Sequence, residues 1–298
     1  MGMRGSDIFE LLLLSSLWGG SFLFMRIAAP VLGPIWLIEV RVLLAGLVLL
    51  PLLLRLKLWQ EVRRNWLPLA VVGALNSAIP FSLLAFASIS LPAGFTSILN
   101  ASAPLFGTVV AALWLKEQLT FARGMGFALG FAGVVVLIGW KALPTTPAFF
   151  MAVGAGLLAA LMYAIAAPYI RQNLVGVPSL VVTVGSQLSA ALVLLPLLPF
   201  TLPQSVPTAP IILAVVALAL LSTAFAYILY FRLIRNIGST RALTVTYLVP
   251  LFAMLWGAIV LQEAITLSMV LGCGLILLGT AIANGILPGL TKLKPHLR

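Results

Sequence analysis

Apolar positions in this chain show neither the alternation of a strand nor the single stripe of an amphipathic helix; they merge into continuous runs separated by short polar links. A helix needs about 20 mainly apolar residues to cross a hydrocarbon layer. Ten runs meet that pattern, at roughly 8–29, 34–54, 66–89, 93–114, 121–140, 148–170, 177–199, 209–234, 239–260 and 266–288. Most links are a few residues long, and no soluble domain is inserted. The first run has the outline of a secretion signal, with Arg4 before it and Ala28-Ala29-Pro30 after it. It is long for such a segment and carries Arg26 ahead of the cleavage-like site, so it reads as a retained helix.

The runs also repeat. Moved forward by 146 positions, Ala93–Thr120 falls on Ser239–Thr266 with seven of 28 positions identical and no gap. Pro104-Leu105-Phe106 meets Pro250-Leu251-Phe252, Glu117 meets Glu263 and Thr120 meets Thr266. The same offset carries Ser77 onto Thr223, Phe81 onto Tyr227, Gly126 onto Gly272 and Gly133 onto Gly279. An internal duplication of apolar helices is a ground plan of transporters.

Composition fixes the solvent. Of 298 residues, 62% are hydrophobic and 8% charged, with mean hydropathy +1.20; a soluble domain carries about 25% charged residues. The net charge of +11 therefore belongs to loops beside a bilayer and not to a nucleic-acid surface. With both termini on one side, 14 of the 17 Lys and Arg residues fall on that side, leaving Arg26, Arg41 and Lys141 opposite. This bias places the termini in the cytoplasm. One cysteine, Cys273, and one histidine, His296, exclude a disulfide framework and a histidine-based zinc or haem site, and no cofactor is expected.

The expected fold class is an all-α integral membrane protein of ten transmembrane helices, arranged as two five-helix repeats, 1–142 and 148–290, with a basic cytoplasmic tail at 291–298. Five is odd, so the second copy enters the bilayer inverted. Glu117 and Glu263 then lie at opposite membrane faces, and the solute site is expected near the midplane between the halves. One chain supplies both halves, so a monomer suffices.

The paired Pro-Leu-Phe stretches ending in Leu115–Thr120 and Leu261–Thr266, the Gly126/Gly133 and Gly272/Gly279 pairs, and Leu17-Trp18-Gly19-Gly20-Ser21 resemble the drug/metabolite transporter superfamily, in its ten-helix EamA-type branch. Within that branch the chain is most similar to bacterial amino-acid exporters, including YddG-like aromatic amino-acid exporters. The resemblance implies a multi-pass inner-membrane protein that exports small metabolites by alternating access. It also puts helices one and six beside the central cavity, which singles out Trp18 and Tyr163.

Several residues are candidates for the solute path. Pro104 and Pro250 read as mid-helix hinges, since proline removes a backbone hydrogen bond and kinks the helix; simple packing kinks are the plainer alternative. Asn100 shares a polar stripe with Ser97, Pro104 and Thr108, matched by Thr246 and Pro250, with Tyr247 adjacent. Such a stripe faces neighbours or water rather than lipid. Ser77 and Phe81, matched by Thr223, Tyr227 and Tyr230, and Phe22 with Trp18 offer rings to stack on a solute or to pack on each other. The glycine faces read as helix packing alone.

Among the acids only Glu39 lies inside a span, two residues from Arg41. Residues two apart on a helix do not face each other, so an ion pair or coupling role needs another partner, for which Gln187 is the candidate. Both charges are expected near the outer end, where snorkelling lowers their cost. Small multidrug relatives exchange protons on a midplane acid that this chain lacks, so a neutral or zwitterionic, partly apolar solute suits it better. Proton-coupled drug efflux is the alternative. An intramembrane enzyme finds no H-E-x-x-H, paired aspartates or G-x-S-x-G here, and a channel finds no charged ring or carbonyl filter.

Overall fold

Residues 4–117, 120–139, 146–203 and 205–284 are described by a computed structural model. They form helices and turns, with no strand among them. Lys141 and the basic tail 291–298 lie outside the described residues.

Helix α1, Gly5–Arg55, has 51 residues, which at about 1.5 Å per residue is more than twice the span of a bilayer core. Its ladder is interrupted at Gly33, whose φ of 72° and ψ of 160° are non-helical. A positive φ is cheap only for glycine, and Pro30 and Pro34 flank the break. Met25 and Arg41, eight residues to either side of Gly33, meet at 4.0 Å between Sδ and Nη1. The second run of α1 therefore folds back along the first.

After the short α2, Trp59–Arg64, α3 at Trp66–Gly73 continues through a π-helical turn, Ala74–Ala78, into α4, Ile79–Ser90. Next come α5, Ala93–Asn100, α6, Ala103–Trp114, and α7, Phe121–Gly139. Helices α8, Pro147–Asn173, and α9, Ser179–Leu194, follow, α9 running into a 3-10 turn at Leu195–Phe200. Helix α10, Ala209–Ala219, passes through a second π-helical turn, Leu220–Phe225, into α11, Ala226–Ile237. The chain closes with α12, Ser239–Ala242, α13, Val245–Leu261, and α14, Leu267–Ala283. Counting continuous stretches, seven among the described residues are long and apolar enough to cross a membrane, the folded-back α1 being one, and α13 and α14 are shorter apolar helices.

One sequence expectation changes in detail. Pro104 does not sit mid-helix: the 93–114 run breaks at Ala101 and Ser102, and Pro104 falls in the first turn of α6. That placement costs no hydrogen bond, because first-turn N–H groups lack a helical acceptor anyway. Pro250 does lie inside its helix, α13, while the equivalent break comes earlier, at Leu243 and Thr244.

Packing follows from small residues. In a bilayer helices associate by close contact, because lipid is as apolar as leucine. Helices α7 and α14 meet backbone to backbone: a Cβ placed on Gly133 would lie 2.8 Å from the Gly272 carbonyl oxygen, and one on Gly279 would lie 2.5 Å from that of Gly126. The centre of the bundle holds Phe22, Met25, Leu37, Phe81 and Val249, with Trp18 and Tyr163 packed against them.

Candidate functional site

At that centre is a buried cation. Arg41, on the second run of α1, is only 5% exposed. Its Nε donates to Thr223 Oγ1 at 3.0 Å, and its guanidinium carbon stands 3.7 Å over the centroid of the Phe81 ring. The π-helical turn at Leu220–Phe225 prepares the acceptor, for Thr223 Oγ1 donates to the carbonyl of Leu218, five residues back, at 2.9 Å. This leaves a lone pair for Arg41. Such turns inside α-helices gather at functional sites because they re-aim side chains.

The sequence expectation that Arg41 snorkels at an outer end is corrected. The side chain turns inward, drawn by a ring face and a hydroxyl across the bundle. Nor does it form an ion pair: the described pairs are Arg26–Glu263, Arg123–Glu117 and Arg232–Glu10. Glu39 is 4% exposed with Oε2 unpartnered, and neither amide atom of the fully buried Gln187 has a partner among the described residues. A buried cation–π contact contributes about 2 kcal/mol and a charged hydrogen bond roughly 1.5–3 kcal/mol. Removing a charge from water costs several kcal/mol even after relaxation. These partners therefore satisfy the guanidinium only in part.

Rings surround it. Phe81 lies 6.4 Å from Tyr163, and Trp18 lies 6.4 Å from Tyr227 and 5.2 Å from Tyr230. Tyr163 and Tyr227 are within electrostatic reach of the Arg41 charge. Ser77 and Asn100 keep unpartnered buried oxygens. Phe22 belongs to the same core. The structure thus sets Phe81, Tyr163 and Tyr227 about Arg41, with Trp18 joined to them through Tyr227, Tyr230 joined through Trp18, and Phe22 in the adjoining core. Thr246 and Tyr247 make their hydrogen bonds away from this group: Thr246 Oγ1 donates to Leu243 O, and Tyr247 Oη accepts from Asn284.

From Tyr163 a crevice of about 380 Å³ runs between α6 and α8, past Pro104, Gly107 and Pro168, to Glu117 and Arg171. The Glu263 end differs. There Arg26 Nε donates to Glu263 Oε1 at 3.3 Å, Arg26 Nη1 donates to the carbonyls of Ser88 and Ile89, and Glu263 Oε2 accepts the Ala93 N–H at 2.9 Å. Arg26 and Glu263 together thereby join α1, the end of α4, the start of α5 and the segment after α13. Its counterpart Glu117 pairs instead with Arg123 at 2.8 Å. Sequence reasoning missed the Arg26–Glu263 contact, although a lone arginine and a repeat acid expected on the same face were a usable signal.

The fold matches known proteins. The model of the EamA-like transporter family matches residues 7–139 and again 150–285. The chain belongs to the EamA-like transporter family. Its relatives include an uncharacterized transporter of Archaeoglobus fulgidus, 24% identical over 89% of this chain and 94% of its own. They also include the uncharacterized inner membrane transporter YedA of Escherichia coli, 26% identical over 81% and 78%. A probable terminal-alkyne amino-acid exporter of Streptantibioticus cattleyicolor is 27% identical over 72% of each chain. A solved crystal structure, 22% identical, superposes with TM-score 0.64 over 95% of this transporter and 98% of its own chain, a likeness of fold. Family and relatives alike indicate a membrane transporter rather than an enzyme, a multi-pass protein of the inner membrane.

Proposed function

We propose that this transporter exports small neutral or zwitterionic metabolites, foremost amino acids with aromatic or other neutral side chains, by alternating access between two inverted five-helix halves, 1–142 and 148–290. The observation that carries the reading is the contrast between the two ends of the ring-lined centre. One end is tied by the Arg26–Glu263 cluster, and the other gives onto the crevice between Glu117 and Tyr163. With the termini in the cytoplasm, as the Lys/Arg bias suggests, the Glu263 end is external and this is a cytoplasm-facing state.

Further support comes from the family match falling twice on the chain, and from the break of α1 at Gly33, which with the other stretches accommodates ten crossings. The exporter from Streptantibioticus cattleyicolor supports amino acids as cargo. Two copies in one chain allow a monomer to work. The buried, unpartnered Glu39 oxygen favours one second reading, efflux of drugs or other metabolites in exchange for protons.

Counterflow of labelled amino acids in proteoliposomes tests the proposal. Unlabelled solute loaded on the far side accelerates uptake of label through a carrier and leaves a channel unaffected. Absence of counterflow across a panel of neutral amino acids would overturn it, and uptake driven only by a pH gradient would favour the second reading.

A further inference from the structure

The buried guanidinium has more donors than the protein uses. Arginine carries five N–H groups in a planar fork. Among the described residues only Thr223 Oγ1 and the weak acceptor Met25 Sδ receive hydrogen bonds from Arg41. Among the described residues no carboxylate lies within ion-pair distance, and Glu39, two positions away on the same helix, projects from a different face. One face of the fork is taken by Phe81, which leaves its edge. The edge is where a guanidinium binds a carboxylate through two parallel N–H···O bonds, the strongest and most directional pairing open to it.

Position adds to this. Tyr163 lines the inner end of the crevice and lies 6.4 Å from Phe81, so one ring separates the crevice from the cation. A solute entering between α6 and α8 meets aromatic faces first and a positive charge behind them. Intramembrane charges mark solute paths because their desolvation is otherwise uncompensated.

We infer that Arg41 recognises a carboxylate on the transported solute, so that the cargo is drawn from amino acids and related monocarboxylates, while amines and cationic drugs are rejected. This rests on the export reading above and names the feature by which the same site selects. The solute's ammonium group is left to the faces of Trp18, Tyr227 and Tyr230, which attract cations without an acid.

The test compares phenylalanine, tryptophan, leucine and methionine with their primary amides, which keep the side chain and ammonium group but lose the carboxylate. Counterflow and solute-induced shifts of Tm are measured for the wild type, Arg41→Lys and Arg41→Gln. Wild-type transporter is expected to favour acids over amides at least tenfold. Arg41→Gln loses at least tenfold in acid transport and most of the acid–amide difference, and Arg41→Lys retains part of both. Amides carried as well as acids by the wild type, or an unchanged KM for acids in Arg41→Gln, would overturn the inference and leave export standing. If no member of the panel exchanges at all, it is the export reading that falls. Should Arg41→Gln fail to fold, the acid–amide comparison in the wild type still decides.

Discussion

Lys116 and Gln262 hold the same left-handed backbone conformation, φ 54° and φ 56°, 146 residues apart. Each is followed by a glutamate whose N–H reaches back six residues, Glu117 to the Ala111 carbonyl at 3.2 Å and Glu263 to that of Gly257 at 3.1 Å. Three residues further, Thr120 and Thr266 accept the N–H groups of Arg123 and Met269, both at 3.3 Å. These backbone contacts are therefore repeated while the tertiary partners differ: Glu263 bridges to α1 and α5, and Glu117 pairs, among the described residues, with Arg123 six positions ahead. Under the alternating access proposed above, such unequal partners are expected of a state in which the Glu263 end is shut and the Glu117 end is not.

Removing the Glu263 charge should loosen the shut end. Glu263→Gln keeps the shape but gives up the ion pair to Arg26 and a charged acceptor for the Ala93 N–H. In a Cys273→Ser background, Ser88→Cys is expected to react several-fold faster with a bulky thiol reagent once Glu263→Gln is present. Ser88 is fully buried now, so an unchanged labelling rate would show that this cluster does not hold the end closed.

The α7–α14 seam predicts a contrast within one helix. A Cβ on Gly272 would sit 2.9 Å from the Gly133 carbonyl oxygen, whereas one on Gly274 meets nothing within 4 Å. Gly272→Ala is expected to lower stability by about 1–3 kcal/mol, the usual range for forcing a methyl group into a packed contact. Gly274→Ala should leave it unchanged or raise it slightly, since alanine is the better helix former. Thermal unfolding in detergent measures both, and equal Tm values would contradict the close approach.

That this glycine face packs was legible beforehand, because small residues at i, i+4 and i+7 permit close approach and Gly126, Gly130 and Gly133 stand at that spacing; that its partner is α14 was not. The apolar runs were legible for the same kind of reason: length and hydropathy suffice. The aim of Arg41 was not. Its position along α1 fixed its depth only loosely, and its inward turn depends on Phe81 and Thr223, which are 40 and 182 residues away in sequence. Nor was the break ahead of Pro104, since proline marks a disturbance without saying on which side of it the helix ends.

The two repeat prolines should respond differently to replacement. Pro250 lies within α13 and deprives the Thr246 carbonyl of its donor four residues on, whereas Pro104 occupies the first turn of α6, where no donor is missed. Pro250→Ala can restore a helical hydrogen bond and is expected to stabilise the protein by about 1 kcal/mol, while Pro104→Ala stays near neutral. If the straightened α13 cannot bend during turnover, Pro250→Ala also lowers the maximal counterflow rate with little change in KM. Rate and stability moving together in both variants would argue against a hinge.

The ring-lined centre makes the last prediction. Trp18 contacts both Tyr227 and Tyr230, and Tyr163 stands between Phe81 and the crevice. Trp18→Ala and Tyr163→Ala remove surface that a bound side chain would stack on, worth about 0.5–1.5 kcal/mol beyond burial for an aromatic pair. Their KM for aromatic amino acids is expected to rise roughly two- to twelvefold, the equivalent of that energy at 1.4 kcal/mol per decade, with a smaller rise for leucine. Tyr247→Phe, which loses only the hydrogen bond from Asn284, should transport as the wild type does. Equal rises for aromatic and aliphatic solutes would show that these rings shape the bundle rather than touch its cargo.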